Sequence, residues 1–172
     1  KIRIEIINLK EKQMLQGIKK ISVFVMALLT LYSCGEKGVV VNQSKVLSQQ
    51  KWEESKALEF EFDIKDTVNY YNFSVLIRNT ENYQWSNVFL FSDITFPNGK
   101  TRRDTLEIVL ADQYGNWLGN NSGTIITTTS TFMEHRRFPL EGKYKVALAH
   151  GMRVPVLEEI TDVGIKLKQW QE

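Results

Sequence analysis

The sequence predicts an all-β protein: an antiparallel β-sandwich of about seven to eight strands behind an N-terminal signal segment and a short tether. Three observations carry this prediction. From Leu58 onward apolar and polar residues alternate with a period of two, the mark of a strand buried on one face only. Clusters of Gly, Pro, Asn and Asp separate these runs at short intervals. No sustained helical period interrupts the series, so the sheets have only each other to pack against.

Along the chain, residues 1–33 are expected to be removed. Lys19 and Lys20 precede an apolar run of eleven residues, Ile21 to Leu31, interrupted only by Ser22 and Thr30. At about 1.5 Å per residue a helix of that length cannot cross a hydrocarbon core of roughly 30 Å, so it is predicted to be a signal peptide. Leu31-Tyr32-Ser33-Cys34 resembles the lipobox of bacterial lipoproteins, with Tyr32 where a small residue is common. Cys34, the only cysteine, is therefore the expected lipid-attachment residue and the new N-terminus. Translation is expected to start at Met14, and residues 1–13 stay outside the fold reading. Residues 34–51, mostly polar, are expected to be a tether, and 52–172 the sandwich domain.

Within that domain "LEFEFDIKD" puts Leu58, Phe60, Phe62 and Ile64 on one face and Glu59, Glu61, Asp63 and Lys65 on the other. Further strands are predicted at 70–79, 87–96, 102–112, 123–132, 143–150 and 164–170. The β-branched tract Thr127–Thr131 suits an exposed strand. "VLEEITDVG" has room for a single helical turn. Turn signals at 97–100, 114–123, 138–143 and 154–159 separate these elements.

Charge and motifs exclude several functions. After removal of 1–33, the 139 remaining residues carry 16 Lys/Arg and 18 Asp/Glu, leaving no basic footprint for nucleic acid. There is no Gly-rich phosphate loop, GxSxG elbow or HExxH, and a lipidated Cys34 cannot act as a nucleophile. His135 and His150 lack a third ligand at zinc spacing. "ADQYGNWLG" (111–119) has one acid, Asp112, too few for a calcium cage, and is predicted to be a hairpin turn. Adjacent acids such as Glu53-Glu54 and Glu158-Glu159 form no pair held across a cleft. Arg102-Arg103 and Arg136-Arg137 are small basic surface patches. No cofactor, metal or small-molecule substrate is expected. Trp52, Trp85 and Trp117 would form a sugar-stacking platform only if they shared an exposed face.

Four segments together resemble one family: "LIRNTENYQWSNVFLF" (76–91), "FPNGKTRRDTLEIVLADQYGNWLG" (96–119), "FPLEGKYKVALAHGMR" (138–153) and "LEEITDVGIKL" (157–167). They fall in the order seen in the gliding-motility lipoprotein GldH family of the Bacteroidota. The resemblance runs from about Trp52 to Leu167 and includes the signal sequence. It implies a small non-enzymatic envelope lipoprotein of the gliding machinery, functionally tied to type IX secretion. Its implied partners are the membrane, through the lipid, and other gliding or secretion envelope proteins. The sequence after Cys34 lacks a dense acidic run resembling a surface-export signal, which points to the periplasmic side.

Arg78, Tyr83, Trp85 and Arg153 are the candidate partner contacts, because Tyr, Trp and Arg dominate interface hot spots. Asp66-Thr67-Val68 resembles the O-glycosylation acceptor pattern of this phylum, as does Asp104-Thr105-Leu106, with Thr67 the better candidate. The alternative function is a carbohydrate-binding lipoprotein of a nutrient-uptake system.

Overall fold

All seven expected strands form, and four shorter or more polar ones join them, in a computed structural model that describes residues 37–171. In chain order the strands are β1 (Val39–Val46), β2 (Lys51–Glu53), β3 (Leu58–Ile64), β4 (Tyr71–Thr80), β5 (Asn87–Thr95) and β6 (Thr101–Val109). They continue with β7 (Asn120–Ser122), β8 (Ile125–Arg136), β9 (Gly142–His150), β10 (Val156–Glu158) and β11 (Ile160–Gln169). Their pairings are all antiparallel. One sheet has the order β1-β11-β4-β8-β7 and a second β3-β9-β5-β6, while β2 and β10 form a small ribbon. The fold is thus the predicted all-β sandwich with more strands than the sequence suggested. The expected signal peptide and the expected lipid-attachment residue Cys34 lie outside the described residues.

The period of two does the packing. Phe60, Phe62 and Ile64 of β3 point inward, and Glu59, Glu61 and Asp63 point to solvent. Outside, Glu61 meets Lys145 at 2.9 Å and Lys143 at 3.4 Å on the neighbouring β9, a cross-strand pairing that favours this register. Inside, Tyr144, Val146 and Leu148 of β9 share one core with Phe73, Val75 and Ile77 of β4 and with Val163, Ile165 and Leu167 of β11. Phe62 meets Phe73 across the two layers edge to face, with ring centroids 5.9 Å apart. Each such side chain contributes roughly 1.5–3 kcal/mol by leaving water.

Two expectations change. Val39–Val46, expected within the tether, is the edge strand β1, paired along its length with β11. Its polar composition follows from its place: backbone hydrogen bonds hold an edge strand, and solvent covers its outer side. Only Val41 is buried. The close approach requires glycine at Gly164 of β11, where a Cβ would stand 2.6 Å from the Gln43 carbonyl oxygen. The segment given room for a helical turn is strand instead, divided between β10 and β11 by Glu159 at φ +67°. Within the threonine tract, Thr128 is buried rather than exposed.

Strand direction gives the sandwich two ends. The chain enters at Gly38, where β1 starts and β11 finishes, and Gln169 N–H donates to the Gly38 carbonyl at 2.7 Å. The segments 65–70, 96–100 and 137–141 lie at this entry end, because β3, β5 and β8 finish there and β4, β6 and β9 begin there. The segments 47–57, 81–86, 110–119, 123–124 and 151–159 lie at the far end. The ten residues of β4 separate the two ends by about 30 Å.

Candidate functional site

The far end holds most of the predicted contact residues, but not on one surface. Tyr83 is buried at 5% exposure, its hydroxyl donates to the Asn87 carbonyl at 3.2 Å, and burial pushes its phenol pKa up. It plugs the sandwich and cannot be a direct contact, which corrects that expectation. Trp85 is exposed and lines a shallow cleft of about 310 Å³ with Asn82, Val154, Val156 and Glu158. Arg153 is exposed in the loop between β9 and β10. Arg78 sits on the outer face of the five-stranded sheet, 3.7 Å from Asp162.

The loops carrying Trp85 and Arg153 are tied together at the end of β4. Thr80 N–H donates to the Glu159 carbonyl at 3.0 Å, its hydroxyl donates to the Glu159 carboxylate, and Asn82 N–H donates to that hydroxyl at 3.2 Å. The neighbouring 110–119 loop is a closed turn. Asp112 accepts from the Asn116 side chain and from the N–H groups of Asn116 and Tyr114 at 2.8–2.9 Å, which holds its carboxyl pKa down. Gly115 at φ +84° completes the turn. No group of three or more metal-ligating side chains exists among the described residues.

The tryptophans do not form one platform. Trp52 is 1% exposed, donates its indole N–H to the Lys56 carbonyl at 3.1 Å, and meets the His150 ring edge to face at 5.6 Å. Trp117 packs partly into the core, and only Trp85 of the three is open to solvent.

His150 is fully buried, and neither ring nitrogen has a hydrogen-bond partner among the described residues. Burial lowers its pKa, opposed by the nearby Trp52 backbone and, less, by the Glu54 charge. An imidazole in the unfolded chain titrates near about 6.5. The stability contributed by keeping His150 neutral is therefore full above that pH. It declines as pH falls, by up to about 1.4 kcal/mol per pH unit, until the folded-state pKa is passed. Urea unfolding at pH 7.5 and 5.0 should show a smaller acid loss in His150→Leu than in wild type; an equal loss would mean that His150 does not contribute.

The entry end has a different chemistry. Tyr70 stacks on His135 with centroids 3.9 Å apart, His135 lies 4.5 Å from Trp170, and the Arg137 guanidinium sits 4.3 Å over Tyr70. His135 adopts φ +50°, and its N–H donates to Asn72 Oδ1 at 2.8 Å. This kink belongs to two register shifts between β8 and β4. A bulge re-aims side chains, and both Phe132 and Met133 line the space between the sheets, where regular alternation would turn one of them away. The resulting cleft, about 740 Å³, has mainly apolar walls, with Arg102, Arg136 and Arg137 among its lining. Arg102 is held by Asp104 at 2.9 Å.

Thr67 lies in the loop before β4, half-buried, beside an Asp66 carboxylate that accepts from the N–H groups of Val68 and Asn69. Thr105 is exposed on the edge strand β6. The entry-end cluster was not legible in the sequence as a site. Arg136-Arg137 was visible as a basic pair, but its proximity to Trp170 depends on which strands neighbour β4.

These features define a two-layer β-sandwich module with two chemically distinct ends. The chain belongs to the GldH lipoprotein family, whose model matches residues 39–167. It is 33% identical over 159 residues to the gliding motility lipoprotein GldH of Flavobacterium johnsoniae, covering 88% of this chain and 98% of that one. It is 32% identical over 154 residues to a gliding motility lipoprotein GldH homolog of Christiangramia forsetii, covering 86% and 93%. The chain is thus a gliding-motility lipoprotein of the cell envelope, and the expected family is the one found.

Proposed function

We propose that this protein is a non-enzymatic adaptor of the gliding machinery linked to type IX secretion, held on the periplasmic side of a membrane by acylated Cys34. The observation that carries this proposal is the family match along the whole sandwich, 39–167, combined with a far end that presents Trp85 and Arg153 away from the chain's entry. An exposed Trp and Arg beside a shallow cleft suit a protein contact, where such residues supply most of the binding energy. The carbohydrate alternative loses support with Trp52, which no sugar ring can reach.

The test is colony spreading and single-cell gliding in a deletion strain, complemented with wild type or Cys34→Ser. Wild type should restore movement and the serine variant should not. Normal gliding in the deletion strain would refute the motility role. Restoration by Cys34→Ser would refute the need for the lipid. We further propose a glycan on Thr67, to be read as a mass difference between wild type and Thr67→Ala isolated from the native envelope; equal masses after correction for the substitution would exclude it.

A further inference from the structure

We infer that the entry end of the sandwich is a membrane-docking face, which seats the domain directly on a bilayer containing anionic phospholipid. The inference rests on the proposed acylation of Cys34. Three residues, Gly35 to Lys37, lie between Cys34 and Gly38, and the four residue steps span at most about 14 Å in any conformation. The entry end is therefore the part of the domain that the lipid holds nearest the membrane, with the far end about 30 Å further along the strands.

Three independent features suit that end to a headgroup region. First, it displays an aromatic cluster in which Trp170 is 38% exposed and Tyr70 and His135 stack beside it. Trp and Tyr are the side chains that concentrate at membrane–water interfaces, because an apolar ring and a polar edge suit the two sides. Second, Val40 and Val68 are exposed at the same end and would enter the headgroup region with it.

Third, charge is divided between the ends. The entry-end segments 65–70, 96–100 and 137–141 hold three Lys/Arg and two Asp/Glu, and Arg136, the last residue of β8, adjoins them. The far-end segments 47–57, 81–86, 110–119, 123–124 and 151–159 hold three and six. A domain polarised in this way orients in the field of an anionic surface with its basic end down. Arg136 and Arg137, both exposed, would meet phosphate groups while Trp170 enters the interface.

The inference also gives the gliding role a geometry. Docking would fix the sandwich upright and project Trp85 and Arg153 from the membrane. The short polar residues before β1 would then be a stalk too short to let the domain wander, rather than a long tether.

The test uses the mature protein isolated from the native envelope, reconstituted in vesicles of phosphatidylethanolamine with phosphatidylglycerol or in vesicles of phosphatidylcholine alone. Flotation reports the anchor, and quenching of tryptophan fluorescence by a lipid spin-labelled near its headgroup reports docking. Quenching should occur in the anionic vesicles, disappear in Trp170→Phe and persist in Trp85→Phe. Arg136→Glu/Arg137→Glu should lower the docked-to-undocked ratio by at least roughly thirtyfold, the loss expected from removing the two arginines alone. Raising salt to about 1 M should weaken quenching without releasing the protein from the vesicles.

Protein that floats but shows no Trp170 quenching, or the same quenching on phosphatidylcholine and after charge reversal, would overturn the docking face while leaving the anchor intact. Protein that does not float would overturn the acylation reading and the docking face with it.

Discussion

Trp52→Ala should cost about 3–5 kcal/mol of stability, enough to leave a substantial unfolded fraction in a domain of ordinary stability. Trp52 is among the largest fully buried side chains and sits on the small β2–β10 ribbon, which closes the far end of the sandwich. Its ring covers His150, and its indole N–H supplies the partner for the Lys56 carbonyl. Alanine would leave a cavity beside the buried imidazole and take away the donor to the Lys56 carbonyl. Trp52→Phe should lose far less, about 1–2 kcal/mol, because most of the ring contact survives and chiefly one hydrogen bond is removed. Urea unfolding of the two variants checks the pair. A loss below about 1 kcal/mol in the alanine variant would mean that the ribbon is peripheral to the fold.

Replacing residues 39–46 by a Gly/Ser linker of equal length should destabilise the domain by more than about 3 kcal/mol or abolish its cooperative unfolding. The linker preserves the distance from Cys34 to the sandwich, so a pure tether would tolerate it. As a strand, the segment pairs with one edge of β11, whose Val163, Ile165 and Leu167 are all fully buried. Removing it takes away the register from Val41–Leu167 to Val46–Asp162 and opens the five-stranded sheet at a strand with no built-in protection. Unchanged stability would return these residues to the role that their polarity first suggested.

That segment shows where sequence reading reaches its limit. β3 announced itself because one face of it is buried and the other solvated, so Phe60, Phe62 and Ile64 write the alternation directly. β1 is held almost wholly by backbone hydrogen bonds. Val41 is its only buried side chain, and backbone pairing leaves no trace in side-chain identity. β7 and the β2–β10 ribbon were missed for a related reason, since three-residue strands are too short to show a period. Gly164 was a faint signal: a glycine inside a strand marks close approach of another backbone, and that backbone is β1.

The candidate site was legible to a similar degree. Trp85 and Arg153 are exposed at the far end as a partner contact requires, whereas Tyr83 has the composition of a hot spot and the burial of a plug. An aromatic beside an element boundary can be either, and only the position of its ring relative to the core decides. The Tyr70–His135–Trp170 cluster joins residues from a loop, a bulge and the end of the last strand. No spacing rule links them, because their proximity follows from strand order, which depends on long-range pairing rather than local pattern.

The proposed adaptor role places the contact on which gliding depends at the far end of the sandwich. The most direct test is single-cell gliding in a strain whose only copy carries Trp85→Ala and Arg153→Glu, with Cys34 intact and the protein present at its normal envelope level. Both side chains are exposed, so the substitutions should change stability by less than about 0.5 kcal/mol each. These cells should lose most of their movement although the protein is folded and anchored. Movement equal to wild type would contradict that placement and would put the essential contact elsewhere on the sandwich.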